Sequence, residues 1–371
     1  MTDSKQPARR VKREPVTDTI LLMSITIGIF VVMYGIAMAA FGGGFLKPQQ
    51  IFDMLNENAF LIIISCGLTV VMITGSIDIS VGGVTALVTM VCVMILNGSL
   101  FPQAQMSDGI RIFCAAVMAV GIGLAFGVVQ GTLIAYLEIQ PFIITLAGMF
   151  FARGMITIIS VQPQKATGDI AAALQRRLEI PWLGSPNKKG VMIPAKMEIG
   201  VIIALAVVVL IFVLLRWLKL GRSFYAVGGN QQSALMLGIN VRRTRFMAHL
   251  ISGLLAGIAG FVFTMHTCAG NATNATASEM NAIASSIIGG TLLTGGVGNV
   301  VGTFFGVLTL TTIKSSVVTS GLRDPWWQSI TTGAMLCFFI LLQSVVLSRR
   351  NKKVRLPAWL LRSRRRMTEN G

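Results

Sequence analysis

The residue best suited to chemistry in this sequence is Asp78, which lies between Ser76 and Ser80 in a glycine-bounded break of a long apolar run. A carboxylate flanked by two hydroxyls can bond the hydroxyls of a polar solute, or backbone donors that the break exposes. A charge inside an apolar segment is costly and needs such partners. The alternative is structural: Asp78 caps a helix beginning near Ser80, or it lies at a membrane interface.

A second group of polar residues lies in another glycine-interrupted apolar segment and comprises Asn281, Thr291 and Thr294. Backbone freed by glycine is tolerated at membrane depth only where protein or water covers it. We therefore expect both breaks, residues 74–83 and 280–302, to face a polar route between helices. Two further charges in apolar segments, Arg153 and Lys314, are expected to extend to the membrane interface.

Motifs of familiar enzymes are absent from the sequence. It contains no G-x-x-x-x-G-K-[ST] loop for nucleotide phosphates, no H-E-x-x-H and no G-x-S-x-G. Its two histidines, His249 and His266, form no metal motif, and no pair of its five cysteines has metal-site spacing. We therefore expect no catalytic residue, no metal and no cofactor bound by this chain itself.

A polar, basic stretch separates two apolar segments and reads LGRSFYAVGGNQQSALMLGINVRRTRF, residues 220–246. Asn230 can cap a helix start and Gly238 can end that helix, which predicts about two helical turns over Gln231–Leu237. So short a helix is marginal alone, so it should lie against the membrane domain or a second protein. An ordinary loop between membrane helices is the alternative.

Two residues of this short helix suggest how it could contact a partner. Ala234 and Leu237 are three positions apart and should share one face. That face could enter an apolar groove, with Ala234 small enough to allow close approach.

Composition assigns the chain to the membrane. It has 371 residues, of which 54% are hydrophobic and 12% charged, and its mean hydropathy is +0.75. We predict an all-α polytopic membrane protein with about ten transmembrane helices, some of them broken or interrupted by glycine. The net charge of +17 does not indicate nucleic acid, because the basic residues lie in blocks beside apolar runs. The predicted spans are 20–41, two within 54–96, 110–136, 142–161, 199–217, 246–267, 280–294, 300–318 and 326–347.

The basic residues also predict an orientation. Five lie in the head, residues 1–16, six lie between Arg216 and Arg245, and nine lie in the tail, residues 349–371. Cytoplasmic segments are rich in Lys and Arg, so both termini and residues 218–245 should be cytoplasmic. The termini then flank a membrane domain of 17–348, and residues 218–245 form a cytoplasmic loop within it. The outer loop, 162–197, carries six basic residues and does not fit the rule.

A weak internal repeat relates the two breaks. Thr74-Gly75 matches Thr294-Gly295, and the Val-Gly pair that follows the first recurs after the second at the same offset. Interruptions at corresponding places in two halves are typical of transport pathways. The predicted topology puts both on the same side, which does not suit an inverted repeat. Either the match is fortuitous or one span is miscounted.

Three motifs carry a family resemblance. ITGSIDISVGG, PFIITLAGMFFARG at Pro141–Gly154 and YAVGGN at Tyr225–Asn230 resemble the permease subunits of bacterial monosaccharide ABC importers, the ribose, xylose and galactofuranose group. The similarity runs from about Asn56 to Leu347, and FIITLAGMFF is most similar to the galactofuranose branch. The chain departs from the family pattern at Ser76, usually Gly, and at Ile79, usually Leu.

The resemblance implies an assembly in the bacterial inner membrane. A dimer of permeases, identical or paralogous, would work with two cytoplasmic ATPase subunits that bind ATP and with a periplasmic sugar-binding protein. It also implies that residues 218–245 carry the coupling helix, with Ala234 and Gly238 matching its A-x-x-x-G pattern. The competing interpretations are a self-sufficient secondary transporter, for which Asp78 would be the ion-coupling candidate, and a membrane-embedded enzyme.

Overall fold

The computed structural model describes residues 15–42, 45–100, 107–186, 192–322 and 324–353. Most of the basic head, residues 354–371 of the tail and residues 187–191 of the outer loop lie outside these ranges. The described elements, in chain order, are α1 (Pro15–Phe41), α2 (Pro48–Ile73), α3 (Val81–Leu96), α4 (Asp108–Ala135), α5 (Pro141–Ile159), β1 (Gln164–Lys165), α6 (Asp169–Leu174), β2 (Arg177–Pro186), β3 (Met192–Glu198), α7 (Ile199–Trp217), α8 (Lys219–Gly229), α9 (Gln231–Met236), α10 (Val241–Thr267), β4 (Ala269–Gly270), α11 (Ser278–Ile288), α12 (Val300–Thr319) and α13 (Pro325–Lys353).

Within the described ranges, seven helices are long and apolar enough to cross a membrane: α1, α2, α4, α5, α7, α10 and α12. Two shorter apolar helices, Val81–Leu96 and Trp326–Leu342, accompany them. The prediction of an all-α polytopic membrane protein with broken segments is confirmed. One predicted span, 280–294, is wrong. The helix α11 ends at Ile288, and the chain then turns at Gly290, whose φ is +90°. Eleven residues rise about 16 Å, roughly half of a bilayer core.

The centre of the molecule is α2, which is buried along most of its length and packs against α7, α10, α11 and α12. By contrast, α4 and α5 are buried along only one stripe each. Phe150 and Phe151 of α5 are both more than 60% exposed. Helices apolar on every side are typical of membrane spans, so we assign the exposed faces to lipid or to another subunit.

Glycines bring α4 and α10 into backbone contact. A Cβ atom at Gly123 would lie 2.8 Å from the Cα of Gly257, and one at Gly253 would lie 2.7 Å from the Cα of Gly127. Small residues at helix crossings allow the close van der Waals packing that drives association in lipid. This crossing fixes α10, which carries several of the polar residues described below, against the first half of the chain.

The outer loop contains regular structure that the sequence analysis did not predict. Strands β2 and β3 form an antiparallel hairpin, with Arg177 opposite Glu198 and Ile180 opposite Ala195. Two amides of α2 hold it: Gln49 Oε1 accepts from Lys196 N at 2.8 Å, and Asn56 Oδ1 accepts from Glu198 N at 2.9 Å. Composition alone suggested a loop, because the Pro, Gly and Lys residues there mask the strand pattern.

The α4–α10 crossing yields a prediction from two glycines of one helix. Gly123→Val should destabilise the protein by more than the ~1–3 kcal/mol of ordinary overpacking, since its neighbours are backbone atoms. Gly121→Val is the matched control, because a Cβ atom there meets nothing within 4 Å. Thermal unfolding of the purified proteins in detergent measures both, and equal midpoints would contradict the packing argument.

Candidate functional site

Asp78 is almost completely enclosed, with 1% of its surface exposed. Its Oδ1 accepts hydrogen bonds from Ser80 N at 3.0 Å and Ser80 Oγ at 2.6 Å, and its Oδ2 accepts from Ser252 Oγ at 2.7 Å. The two bonds to Ser80, the N-cap of α3, form a local turn just before the helix, which is related to the structural alternative but is not a cap of the helix amides. The bond to Ser252 adds a role that capping does not include, because it ties the break to the middle of α10.

Further polar groups surround this carboxylate and were not predicted as site residues. Gln130 of α4 places Oε1 3.1 Å from Ser80 Oγ, while its buried Nε2 lacks a protein partner in the described structure. Exchanging the oxygen and nitrogen of this amide would let it donate to Ser80 while Ser80 donates to Asp78. His249 of α10 is 1% exposed, and neither ring nitrogen has a partner among the described residues. Contacts between distant helices carry no sequence spacing that could have revealed this cluster.

The second group of predicted residues is dispersed. Thr291 is buried, Thr294 is exposed, and Asn281 is half-buried. Lys314 Nζ donates to Asn281 Oδ1 at 2.8 Å, so this lysine binds a neighbouring helix. No hydrogen bond within the described ranges joins Asp78 to any of the three. The structure therefore gathers Asp78 and Ser80 with residues of α4 and α10, and leaves the second group apart.

Arg153 binds backbone groups of the protein. Its guanidinium donates to the carbonyls of Ala272, Asn274 and Ala275 at 2.8 to 3.1 Å. Three backbone acceptors in the turn before α11 thus bind one cation. That Arg153 and Lys314 extend to the membrane interface stays a prediction; the structure adds that both charges bind polar groups of the protein.

The beginnings of the two short helices α3 and α11 meet. Gly82, in the first turn of α3, lies so close to Glu279 that a Cβ atom would clash with the Glu279 carboxylate and would lie 3.0 Å from Ser278 Oγ. A carboxylate beside the first turn of a helix is favourable, because the helix dipole is positive there. Discontinuous helices whose N-termini converge are typical of solute sites in transporters.

The basic segment 218–245 forms the short helix that the sequence predicts. Asn230 Oδ1 accepts from Ser233 N at 2.9 Å, and α9 spans Gln231–Met236. Gly238 follows with a φ of +76°, a conformation that favours glycine, and its N–H donates to Leu235 O. The prediction of a capped helix ended by glycine is confirmed in its geometry.

The arrangement of side chains on α9 corrects one expectation. Ala234 is 1% exposed and packs with Val227 of α8 and Val241 of α10, whereas Leu237 is 78% exposed. They do not share an outward face, because Ala234 packs inward and Leu237, the C-cap residue just before the left-handed turn at Gly238, is exposed. Ala234 is small because it packs inward, and the outward apolar surface consists of Leu235, Met236 and Leu237.

At the hairpin end of the molecule, Glu198 joins three elements. Its carboxylate lies 3.1 Å from Arg177 Nη2 of β2 and 2.7 Å from His266 Nδ1 of α10. Burial opposes ionisation of this carboxyl, but His266 and Arg177 outweigh it and lower the pKa of Glu198. The ion pair fastens the hairpin to the ends of α7 and α10, opposite the end that carries α9.

Comparison with known proteins gives consistent matches over most of the chain. The family described as the permease component of the branched-chain amino acid transport system matches residues 50–340. The chain is 37% identical to the inner membrane ABC transporter permease protein YjfF of Escherichia coli K12, over 87% of this chain and 92% of that protein.

Two further relatives have sugars in their names. The fructose import permease protein FruG of Bifidobacterium longum is 32% identical, over 86% of this chain and 89% of its own. The ribose import permease protein RbsC of Bacillus subtilis is 32% identical, over 85% and 90%. No solved structure matches the chain.

The enclosed carboxylate yields a prediction. Asp78→Leu strands the Ser80 and Ser252 donors, each at a cost of about 1–3 kcal/mol, whereas Asp78→Asn keeps one acceptor oxygen. Thermal midpoints in detergent should fall in the order wild type, Asn, Leu. Asp108→Leu, which removes an exposed carboxylate at the start of α4, should change the midpoint little. An Asp78→Leu protein as stable as wild type would show that the bonds of Asp78 to Ser80 and Ser252 do not stabilise the break.

Proposed function

We propose a function from the premise that this chain belongs to the family of permease components of the branched-chain amino acid transport system, whose model matches residues 50–340. It is the membrane-embedded permease of an ABC importer. We further propose its transported solute, its energy source and its partners. These proposals rest on the named relatives and on the described geometry.

The transported solute is a monosaccharide. The family description names amino acids, but relatives more than 30% identical over most of the chain are named for fructose and ribose. A neutral sugar needs hydrogen-bonding groups more than fixed counter-charges. Asp78, Ser76, Ser80, Asn281, Thr291 and Thr294 are proposed to contribute to its route during turnover, when the enclosed break opens. A pentose or galactofuranose fits the sequence motifs.

Energy comes from separate cytoplasmic ATPase subunits, since the sequence has no phosphate-binding loop. A secondary transporter would couple the solute to an ion at a membrane carboxylate. Asp78 is poorly suited to that task, because three protein donors already surround it. A second permease copy or paralogue and a periplasmic sugar-binding protein complete the proposed importer.

One observation carries the coupling proposal: Leu235, Met236 and Leu237 stand out from a capped helix in a basic segment, and Met236 and Leu237 are each more than three-quarters exposed. Consecutive exposed apolar side chains at a rigid corner are typical of a buried contact in an assembly. We propose that they enter a groove of the ATPase. Asn230 and Gly238 shape the corner, and Ala234 holds it against α8 and α10.

Uptake of labelled sugars tests the function. Cells that express the permease with its ATPase and binding protein should accumulate one monosaccharide from a panel of pentoses and hexoses, and labelled leucine should not enter. Leu237→Glu should reduce that uptake and ATPase association at least tenfold, because a charge would be buried in an apolar contact. Gln232→Glu introduces the same charge at an exposed position of α9 and should retain both.

Two outcomes would overturn these proposals separately. Leucine uptake without sugar uptake would reject the sugar. Normal uptake and normal ATPase association in Leu237→Glu would reject α9 as the coupling contact, and that surface would then lie elsewhere on the cytoplasmic side.

The orientation is proposed from charge and supported by the fold. The ion pair between Arg242 and Glu138, at 2.9 Å, places the α4–α5 turn beside the start of α10. The hairpin lies at the other end of α10, beside His266. We therefore propose that residues 218–245 and both termini are cytoplasmic and that 162–197 is periplasmic.

Cysteine labelling tests the orientation. In a cysteine-free background, Leu183→Cys in the hairpin should react with an impermeant maleimide in intact cells. Gln232→Cys should react only after the membrane is opened. Both side chains are exposed, so access to the reagent is limited by the membrane alone. The opposite pattern of labelling would invert the topology.

A further inference from the structure

The last turn of α8 is wedged between the two helix breaks. A Cβ atom at Gly228 would lie 2.6 Å from the amide nitrogen of Gly296 and closer still to the carbonyl oxygen of Ile73. A Cβ atom at Gly296 would lie 2.7 Å from the Cα of Gly229. The backbone of α8 therefore touches the end of α2 and the loop that follows α11, with no side chain between them.

The two breaks also touch each other at this point. Gly296 N donates at 2.9 Å to the carbonyl oxygen of Ile73, which is the last residue of α2. A Cβ atom at Gly295 would lie 2.8 Å from Gly75 N. Gly75, Gly295 and Gly296 all have positive φ values, from +76° to +84°. The two Thr-Gly pairs, which lie in opposite halves of the sequence, are thus neighbours at one junction.

A side-chain bond adds a third contact between α8 and the second break. Tyr225, one turn before Gly228, donates its phenol to Gly298 O at 2.8 Å. Burial raises the pKa of Tyr225 to about 12, so the phenol keeps its proton at physiological pH. The bond holds α8 and the loop before α12 in register.

At its other side, this turn is rigidly joined to α9. Asn230 is both the C-cap of α8 and the N-cap of α9, so no flexible linker separates the two helices. Val227 of α8, Ala234 of α9 and Val241 of α10 form a small apolar core. A displacement of α9 must therefore move the last turn of α8.

We propose that this turn transmits movement of α9 to both helix breaks at once, with Tyr225 and Gly228 as its positioning residues. Packed backbone is hardly compressible. A shift of the last turn of α8 on its α9 side therefore displaces the two breaks on its other side. This proposal rests on the function above, in which α9 contacts an ATPase. It also gives a physical reason for the repeat: both breaks need glycine where the same helix end presses on them.

Tyr225→Phe tests the wedge, because it removes one hydrogen bond and keeps the ring. The complex of permease, ATPase and binding protein is reconstituted in proteoliposomes, and sugar uptake per ATP hydrolysed is measured. The variant should assemble and keep its unstimulated hydrolysis, while uptake per ATP falls roughly two- to tenfold, as expected for loss of one hydrogen bond. Tyr136→Phe, which removes the hydroxyl of an exposed tyrosine, should have the same uptake per ATP as wild type.

Adjacent glycines provide a second comparison. Gly228→Ala places a methyl group against Ile73 O, whereas Gly229→Ala places one where nothing lies within 4 Å. Gly228→Ala should uncouple hydrolysis from uptake or prevent folding, and Gly229→Ala should do neither. Because Tyr225→Phe is mild, its result decides the matter if Gly228→Ala fails to fold.

The possible failures are distinguishable. If the wild-type complex shows no hydrolysis stimulated by loaded binding protein, the proposed function is wrong. If wild type is stimulated and Tyr225→Phe has the same uptake per ATP, the wedge is wrong while the function stands. If Tyr225→Phe loses ATPase association, the residue acts on the contact surface and the transmission role is again rejected.

Discussion

A backbone amide or carbonyl without a partner in hydrocarbon costs several kcal/mol, and this constraint organises the two breaks. After α2, Thr74 N and Gly75 N return to carbonyls of the last helical turn, and Ser80 N turns to the Asp78 carboxylate. In the second break, Leu292 N pairs with Val297 O, and Gly296 N crosses to Ile73 O. These amides of the two breaks thus find acceptors in the preceding helical turn, within the break, at the end of α2 or in a buried carboxylate.

Close backbone approach is the second principle of the architecture, and it occurs at two levels. Along α4 and α10, glycines such as Gly123 and Gly253 let two spans pack without side chains between them. At the α8 junction, Gly228 lets α8 contact the end of α2 and the loop that follows α11 directly. The first contact packs two membrane spans together, and the second places the end of α8, which leads into α9, against both breaks.

Three charged side chains of the helical domain bind polar groups of the protein. The Arg153 guanidinium donates to three carbonyl oxygens in the turn before α11, and the Lys314 ammonium donates to Asn281. Asp78 is surrounded by hydroxyls and an amide N–H. Buried polar groups without partners are expensive, so such networks restrict the short helices to one arrangement. Opening a route past Asp78 would have to replace these bonds, and the hydroxyls of a sugar are chemically able to do so.

The sequence by itself determined the class of the protein and several local features. Apolar length predicted the membrane spans, Asn230 and Gly238 predicted the ends of α9, and the motifs predicted an importer permease; the matched family confirms the last. These signals are local, because helix caps, glycine turns and hydrophobic runs depend on near neighbours. A position such as Asp78 could be recognised as unusual from its apolar surroundings alone.

Only the tertiary structure decided which residues meet. It paired Asp78 with Ser252 of α10, turned Ala234 inward, reduced the span predicted at 280–294 to the short α11, and formed a hairpin from an apparent loop. It also brought Gly75 and Gly295 to one junction with Gly228. Such contacts join segments from opposite halves of the chain and depend on helix crossings and backbone clearance, which leave no periodic trace in a single sequence.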